Sequence, residues 1–227
     1  MGRRATPMDG LIHDFLRLFT ELDQFLAEFV RDHGTLTYAL LFAIVFCETG
    51  LVVLPFLPGD SLLFAAGAIT VRDVGIDPWI TAIVIFIAAV LGDAVNYHIG
   101  RWIGPAAFSG RFRWLRRDHL ERTQRFFERY GGRAVVLARF VPIVRTFAPF
   151  VAGVGAMRYR RFAVFNIVGA ALWIAIAFGG GCFFGNIPWV KRNFSVVALG
   201  IVLVSVLPIA WEWWMHRRAA KPSEHSP

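Results

Sequence analysis

Three stretches contain no Asp, Glu, Lys, Arg or His: Trp79 to Gly92, Phe162 to Val190 and Phe194 to Trp211. Crossing about 30 Å of hydrocarbon takes about 20 mostly apolar residues. The two longer runs predict spans at about 160–185 and 194–215. The first predicts a span over 78–100 that runs on through Asp93, Asn96 and Tyr97; Asp93, Tyr97 and Arg101 then share one helical face.

Two further apolar stretches are irregular. Residues 35–71 are interrupted by Glu48, broken at Pro55, Pro58 and Gly59, and followed at once by Asp60. Residues 134–157 are broken by Arg139, Pro142, Arg145 and Pro149 before Gly153 and Gly155. Proline removes a backbone donor and ends or kinks a helix. Irregular backbone at membrane depth is tolerated only within protein or beside a watery cavity. Each stretch therefore predicts a re-entrant hairpin or broken helix. Both stretches reach Ala-Gly (Ala66-Gly67, Ala152-Gly153), and each precedes a span with Gly-x-Ala-[Val/Leu], Gly92 to Val95 and Gly169 to Leu172. One crossing between the two hairpins puts them on opposite faces, as in the inverted repeats of secondary transporters.

The polar remainder orients the chain. Positions 101–133 hold nine arginines against three acids, which predicts a cytoplasmic loop. Within it, Asp118 to Tyr130 reads as a surface helix with a Leu120, Phe127, Tyr130 stripe. Arg217, Arg218 and Lys221 place the tail on the same side. Residues 11–31 repeat Leu11, Phe15, Leu18, Leu22, Phe25 and Phe29 at helical spacing, with charges between them. That helix suits either an interface or the flank of a bundle.

Composition agrees with the pattern. The 227 residues are 56% hydrophobic and only 18% charged, against about 45–50% and about 25% for soluble domains. The net charge of +8 is accounted for by basic loops, so nucleic acid is not the expected partner. Cys47 and Cys182 form no Cys-x-x-Cys pair and read as small packing residues. No cleavable signal and no metal or other cofactor is expected.

The chemistry then rests on charges set in oil. A charge at the bilayer centre costs about 2.5–3.5 kcal/mol on insertion scales. Four of them, Glu48, Asp60, Arg139 and Arg145, need pairing, hydration or neutralisation. Buried ion pairs between the acids and the arginines are the plain reading, and such pairs are weak stabilisers. The functional reading uses what each group does. Arginine offers a planar fork of donors that fits phosphate, and a carboxylate removed from water exchanges protons closer to neutral pH. Glu48 and Asp60 are thus candidate proton carriers, and Arg139 and Arg145 candidate phosphate clamps. Asp93, Tyr97, Pro58, Gly59 and Pro142 are supporting candidates. For Asp93, a hydrogen bond that ties helices together serves equally well. No activated nucleophile, metal-ligand cluster or lipid-phosphatase signature is present, so an enzyme is not expected.

The runs Phe46 to Gly67, Gly92 to Arg101 and Ala138 to Gly153 resemble the DedA family, in order and over roughly residues 35–215. The resemblance implies an all-α, polytopic bundle with two opposed re-entrant hairpins in a bacterial inner membrane. One transmembrane domain would cover 35–215, with a segment 1–34 before it and a basic polar tail 216–227 after it. It also implies proton-gradient-dependent movement of a lipid phosphate, notably undecaprenyl phosphate. On that implication the family's acidic pair falls on Glu48 and Asp60 and its arginine pair on Arg139 and Arg145. The partners would be the bilayer, an anionic lipid phosphate and protons, and a homo-oligomer is compatible. A proton-coupled exporter of ions or small cations is the alternative.

Overall fold

A computed structural model describes residues 22–51, 59–71, 75–104, 117–192, 196–197 and 200. Every regular element among them is helical: α1 (Leu22–His33), α2 (Leu36–Gly50), α3 (Gly59–Thr70), α4 (Pro78–Ile103), α5 (Arg117–Tyr130), α6 (Ala134–Ala138), α7 (Pro142–Val151), a π turn (Ala152–Ala156), α8 (Tyr159–Phe184) and α9 (Pro188–Arg192). The predicted span at 194–215, the first part of the helix expected over 11–31, the breaks at Pro55 and Pro58, and the basic tail lie outside the described residues.

α4 and α8 each have 26 residues and are long and apolar enough to cross a membrane. α4 starts where the sequence dictates. Asp77 caps it, accepting from the N–H groups of Trp79 and Ile80 at 2.8 and 2.9 Å, and Pro78 occupies the first turn. Along one face of α4, Ile80, Ile83, Ile87, Leu91 and Val95 stay exposed, as do Val164, Ile167, Val168, Leu172 and Ile176 on α8. Continuous apolar stripes of this kind suit contact with hydrocarbon rather than water.

Each irregular stretch holds two short helices among the described residues. The first is divided into α2 and α3, of 15 and 12 residues, both shorter than a span requires. The second is divided into α6 and α7 by a turn at Arg139–Val141. Pro149 does not break the chain where expected. It lies inside α7, where its missing N–H forgoes one bond to the Arg145 carbonyl while the helix runs on into the π turn. The chain leaves that turn at Gly155, whose φ of 156° favours glycine.

The internal repeat is clearest in the packing. A Cβ at Gly67 of α3 would collide with the Phe178 carbonyl of α8, and one at Gly181 of α8 with the Phe64 carbonyl of α3. The other half repeats this: Gly153 meets the Tyr97 carbonyl of α4, and Gly100 of α4 meets the Phe150 carbonyl of α7. Each close crossing pairs an aromatic-x-x-Gly, on α3 in one case and running from α7 into the π turn in the other, with an aromatic-x-x-Gly on the long helix of the other half. Glycine at these positions lets the backbones approach, as small residues do between membrane helices. The matching register on the long helices is therefore Tyr97-x-x-Gly100 with Phe178-x-x-Gly181. This is four residues, about one turn, from the Gly92/Gly169 register the sequence suggested.

Candidate functional site

The buried charges separate into two clusters against one face of α8. Arg139 lies in the turn after α6, with its side chain over Gly169. Its Nη2 donates to Asp93 Oδ2 and, at 2.7 Å, to Asn166 Oδ1. Asn166 in turn donates to the Val90 carbonyl at 3.1 Å. Arg139 and Asp93 are both buried, and Nε of Arg139 has no hydrogen-bond partner. This cluster joins α4, α8 and the turn after α6 into one closed polar contact.

Arg145, on the first turns of α7, gathers the other two acids. Its Nη1 donates to Asp60 Oδ1 at 3.0 Å. Its Nη2 faces Glu48 Oε1 at 3.3 Å, but without hydrogen-bond geometry, and Glu48 Oε2 is unpartnered as well. Asp60 also accepts from the indole N–H of Trp173 at 2.7 Å. The Asp60 side chain is 31% exposed, whereas those of Glu48 and Arg145 are 7% and 11%. This cluster is therefore looser, opens on one side, and holds one carboxylate more than its arginine can neutralise.

Trp173 stands between the clusters. Its ring centre lies 4.1 Å from the Arg145 guanidinium and 5.7 Å from that of Arg139, within cation–π range. Asn96 supplies a second link: its amide donates to the Thr49 carbonyl at 3.1 Å and to the Thr146 carbonyl at 3.0 Å. These carbonyls belong to the residues next to Glu48 and Arg145, so one side chain holds α2 and α7 in mutual register.

The four expected charges thus do not meet as an arginine pair facing an acidic pair. Arg145 takes both Glu48 and Asp60, while Arg139 takes Asp93. Asp93 serves as the direct counter-ion that ties helices together. Tyr97 is fully buried, but its hydroxyl goes to the Met157 carbonyl at 2.9 Å rather than to a charge. Arg101, expected on the same face, is exposed. Gly59 opens α3, where a Cβ would overlap the Glu48 carboxylate. Pro142 occupies the first turn of α7, the position where a missing N–H costs least. Pro58 lies outside the described residues.

Sequence reasoning passed over Asn166, Trp173 and the bridging role of Asn96. A signal existed for the first two: Asn166 is a polar residue inside an uncharged run, and Trp173 sits at mid-span instead of at an interface. Their spacing of seven puts them on one helical face.

Residues 57–183 match the family model described as the VTT domain. The chain is 49% identical to the protein DedA of Escherichia coli K12 over 212 residues, which covers 92% of this chain and 97% of that protein. It is 43% identical over 189 residues to an uncharacterized membrane protein of Mycobacterium tuberculosis H37Rv, covering 81% and 83% of the two chains. To the inner membrane protein YghB of Escherichia coli K12 it is 36% identical over 177 residues, covering 78% and 79%. No solved structure matches the chain.

Proposed function

Because this chain belongs to the DedA family of VTT-domain membrane proteins, we propose that it moves an anionic lipid phosphate across a bacterial inner membrane in a proton-dependent step, with undecaprenyl phosphate as the substrate. The two divided stretches, α2 with α3 and α6 with α7, act in this reading as opposed re-entrant hairpins.

The observation that carries the proposal is the sharing of Arg145 between Glu48 and Asp60. A buried net charge is costly, and this trio has one negative charge in excess when both acids are ionised. A proton removes the excess. A phosphate arriving at Arg145 adds negative charge, and it competes with both carboxylates for the same guanidinium. Phosphate and protons therefore enter together, and the release of one favours the release of the other. The partial exposure of Asp60 gives the headgroup a way in, and the apolar stripes of α4 and α8 leave the lipid chain in hydrocarbon. No covalent step is involved, so the protein acts as a transporter and not as an enzyme.

Purified protein in proteoliposomes should move undecaprenyl phosphate between leaflets when a pH gradient is applied, and Arg145→Gln should abolish the movement. Undiminished movement by the variant, or none by the wild type, would sink the proposal. The surplus carboxylate also suits a proton-coupled exporter of small cations. Cation flux without lipid movement in the same vesicles would favour that reading.

A further inference from the structure

The contact between Glu48 and the start of α3 has a consequence of its own. α3 is a 12-residue helix, and the N–H groups of its first turn have no partners within the helix. Helix N-termini of this kind bind anions, and an adjacent arginine strengthens the preference. The carboxylate of Glu48 lies over Gly59, so close that a Cβ there would displace it. The Gly59 backbone favours the charged form of that carboxylate. Arg145 approaches the same carboxylate from the other side at 3.3 Å. Ser61, in the same first turn, keeps a buried hydroxyl with no partner, and Arg145 Nη2 and Glu48 Oε2 are likewise unpartnered.

We propose that the first turn of α3, the Ser61 hydroxyl and the Arg145 guanidinium form one cradle for a phosphate monoester, and that the Glu48 carboxylate is its built-in occupant in the empty transporter. The donors of the cradle outnumber what one carboxylate satisfies. A phosphate has more acceptor oxygens and a matching fork geometry for arginine. Asp60 stays on Nη1 of Arg145; Glu48 thus keeps the helix end and the Nη2 side of the arginine from standing unfilled, and it yields when the headgroup arrives. Gly59 is there to let either anion reach the helix end. The inference rests on the lipid-phosphate reading above and adds how the site is kept when empty.

The test is equilibrium binding to the full-length protein in detergent, with inorganic phosphate in one arm and a short-chain isoprenyl monophosphate in the other. If Glu48 holds the cradle nine-tenths of the time or more, its removal tightens binding by about tenfold or more. Glu48→Gln and the more drastic Glu48→Ala should therefore bind both probes more tightly than wild type while losing transport. Arg145→Gln should lose binding, alone or combined with either variant. Ser61→Ala should weaken binding severalfold. A tightening confined to the isoprenyl probe marks the lipid headgroup as the ligand, and one equal for both marks phosphate itself; either supports the cradle. Unchanged or weaker binding in both Glu48 variants overturns it, as does tightening that survives Arg145→Gln. Wild-type transport alongside unchanged binding would leave the transport reading standing without the cradle. Tighter binding with no lipid movement by wild type would do the reverse.

Discussion

The two arginines of the core are six residues apart in the chain, yet their surroundings differ in kind. Arg139 has one carboxylate, one amide and little solvent, and its cluster is electrically balanced. Arg145 has two carboxylates and an aromatic face at 4.1 Å, and one of its acids opens outward. Identical side chains can therefore be a closed pair in one place and a contact shared by two acids in another. What separates them is the count and geometry of their partners. A balanced, closed pair has no reason to let go. Under the proposed function, one of the two acids that share an arginine takes up a proton or gives way to another anion while the arginine stays paired with the other acid.

The largest expected effect follows from the closed pair. Removing one partner of a buried ion pair leaves an uncompensated charge, so Asp93→Ala should cost about 3–5 kcal/mol, read as a lower unfolding temperature in detergent. Replacing Asp93 and Arg139 together by apolar residues of similar volume should restore most of it. If transport does not return with stability, Arg139 also touches substrate and the contrast between the arginines fails. Next in size are the two glycine crossings. Gly67→Ala and Gly153→Ala each force a backbone carbonyl aside and should destabilise by about 1–3 kcal/mol through overpacking. Thermal unfolding should show similar costs at both sites, because the two crossings are built alike. A large difference would mean that the halves are not equivalent. The smallest effect belongs to the plate between the clusters. Trp173→Phe keeps a ring against Arg145 but removes the bond to Asp60, worth about 1 kcal/mol. It should alter lipid-phosphate binding more than unfolding temperature. The opposite balance would make Trp173 part of the closed pair's support.

Much of this was legible in the sequence. Uncharged runs at 79–92 and 162–190 have one stable outcome, a long apolar helix, because backbone groups in hydrocarbon must satisfy one another. Pro142 and the Asp77-Pro78 pair mark helix starts through purely local chemistry. Glu48, Asp60, Arg139 and Arg145 stood out because a charge in an apolar segment needs a reason. The tertiary structure decided who meets whom. Ion pairing depends on which helices cross and at what height, and one turn of helix shift would exchange the partners. That is why Asp93 became the counter-ion of Arg139, why Arg145 holds both remaining acids, and why the repeat is in register at Tyr97 and Phe178. It is also why Asn96, Asn166 and Trp173 became the groups that hold the two clusters in place. Local physics wrote the helices and the misplaced charges into the sequence; only packing turned those charges into one closed pair and one arginine shared by two acids.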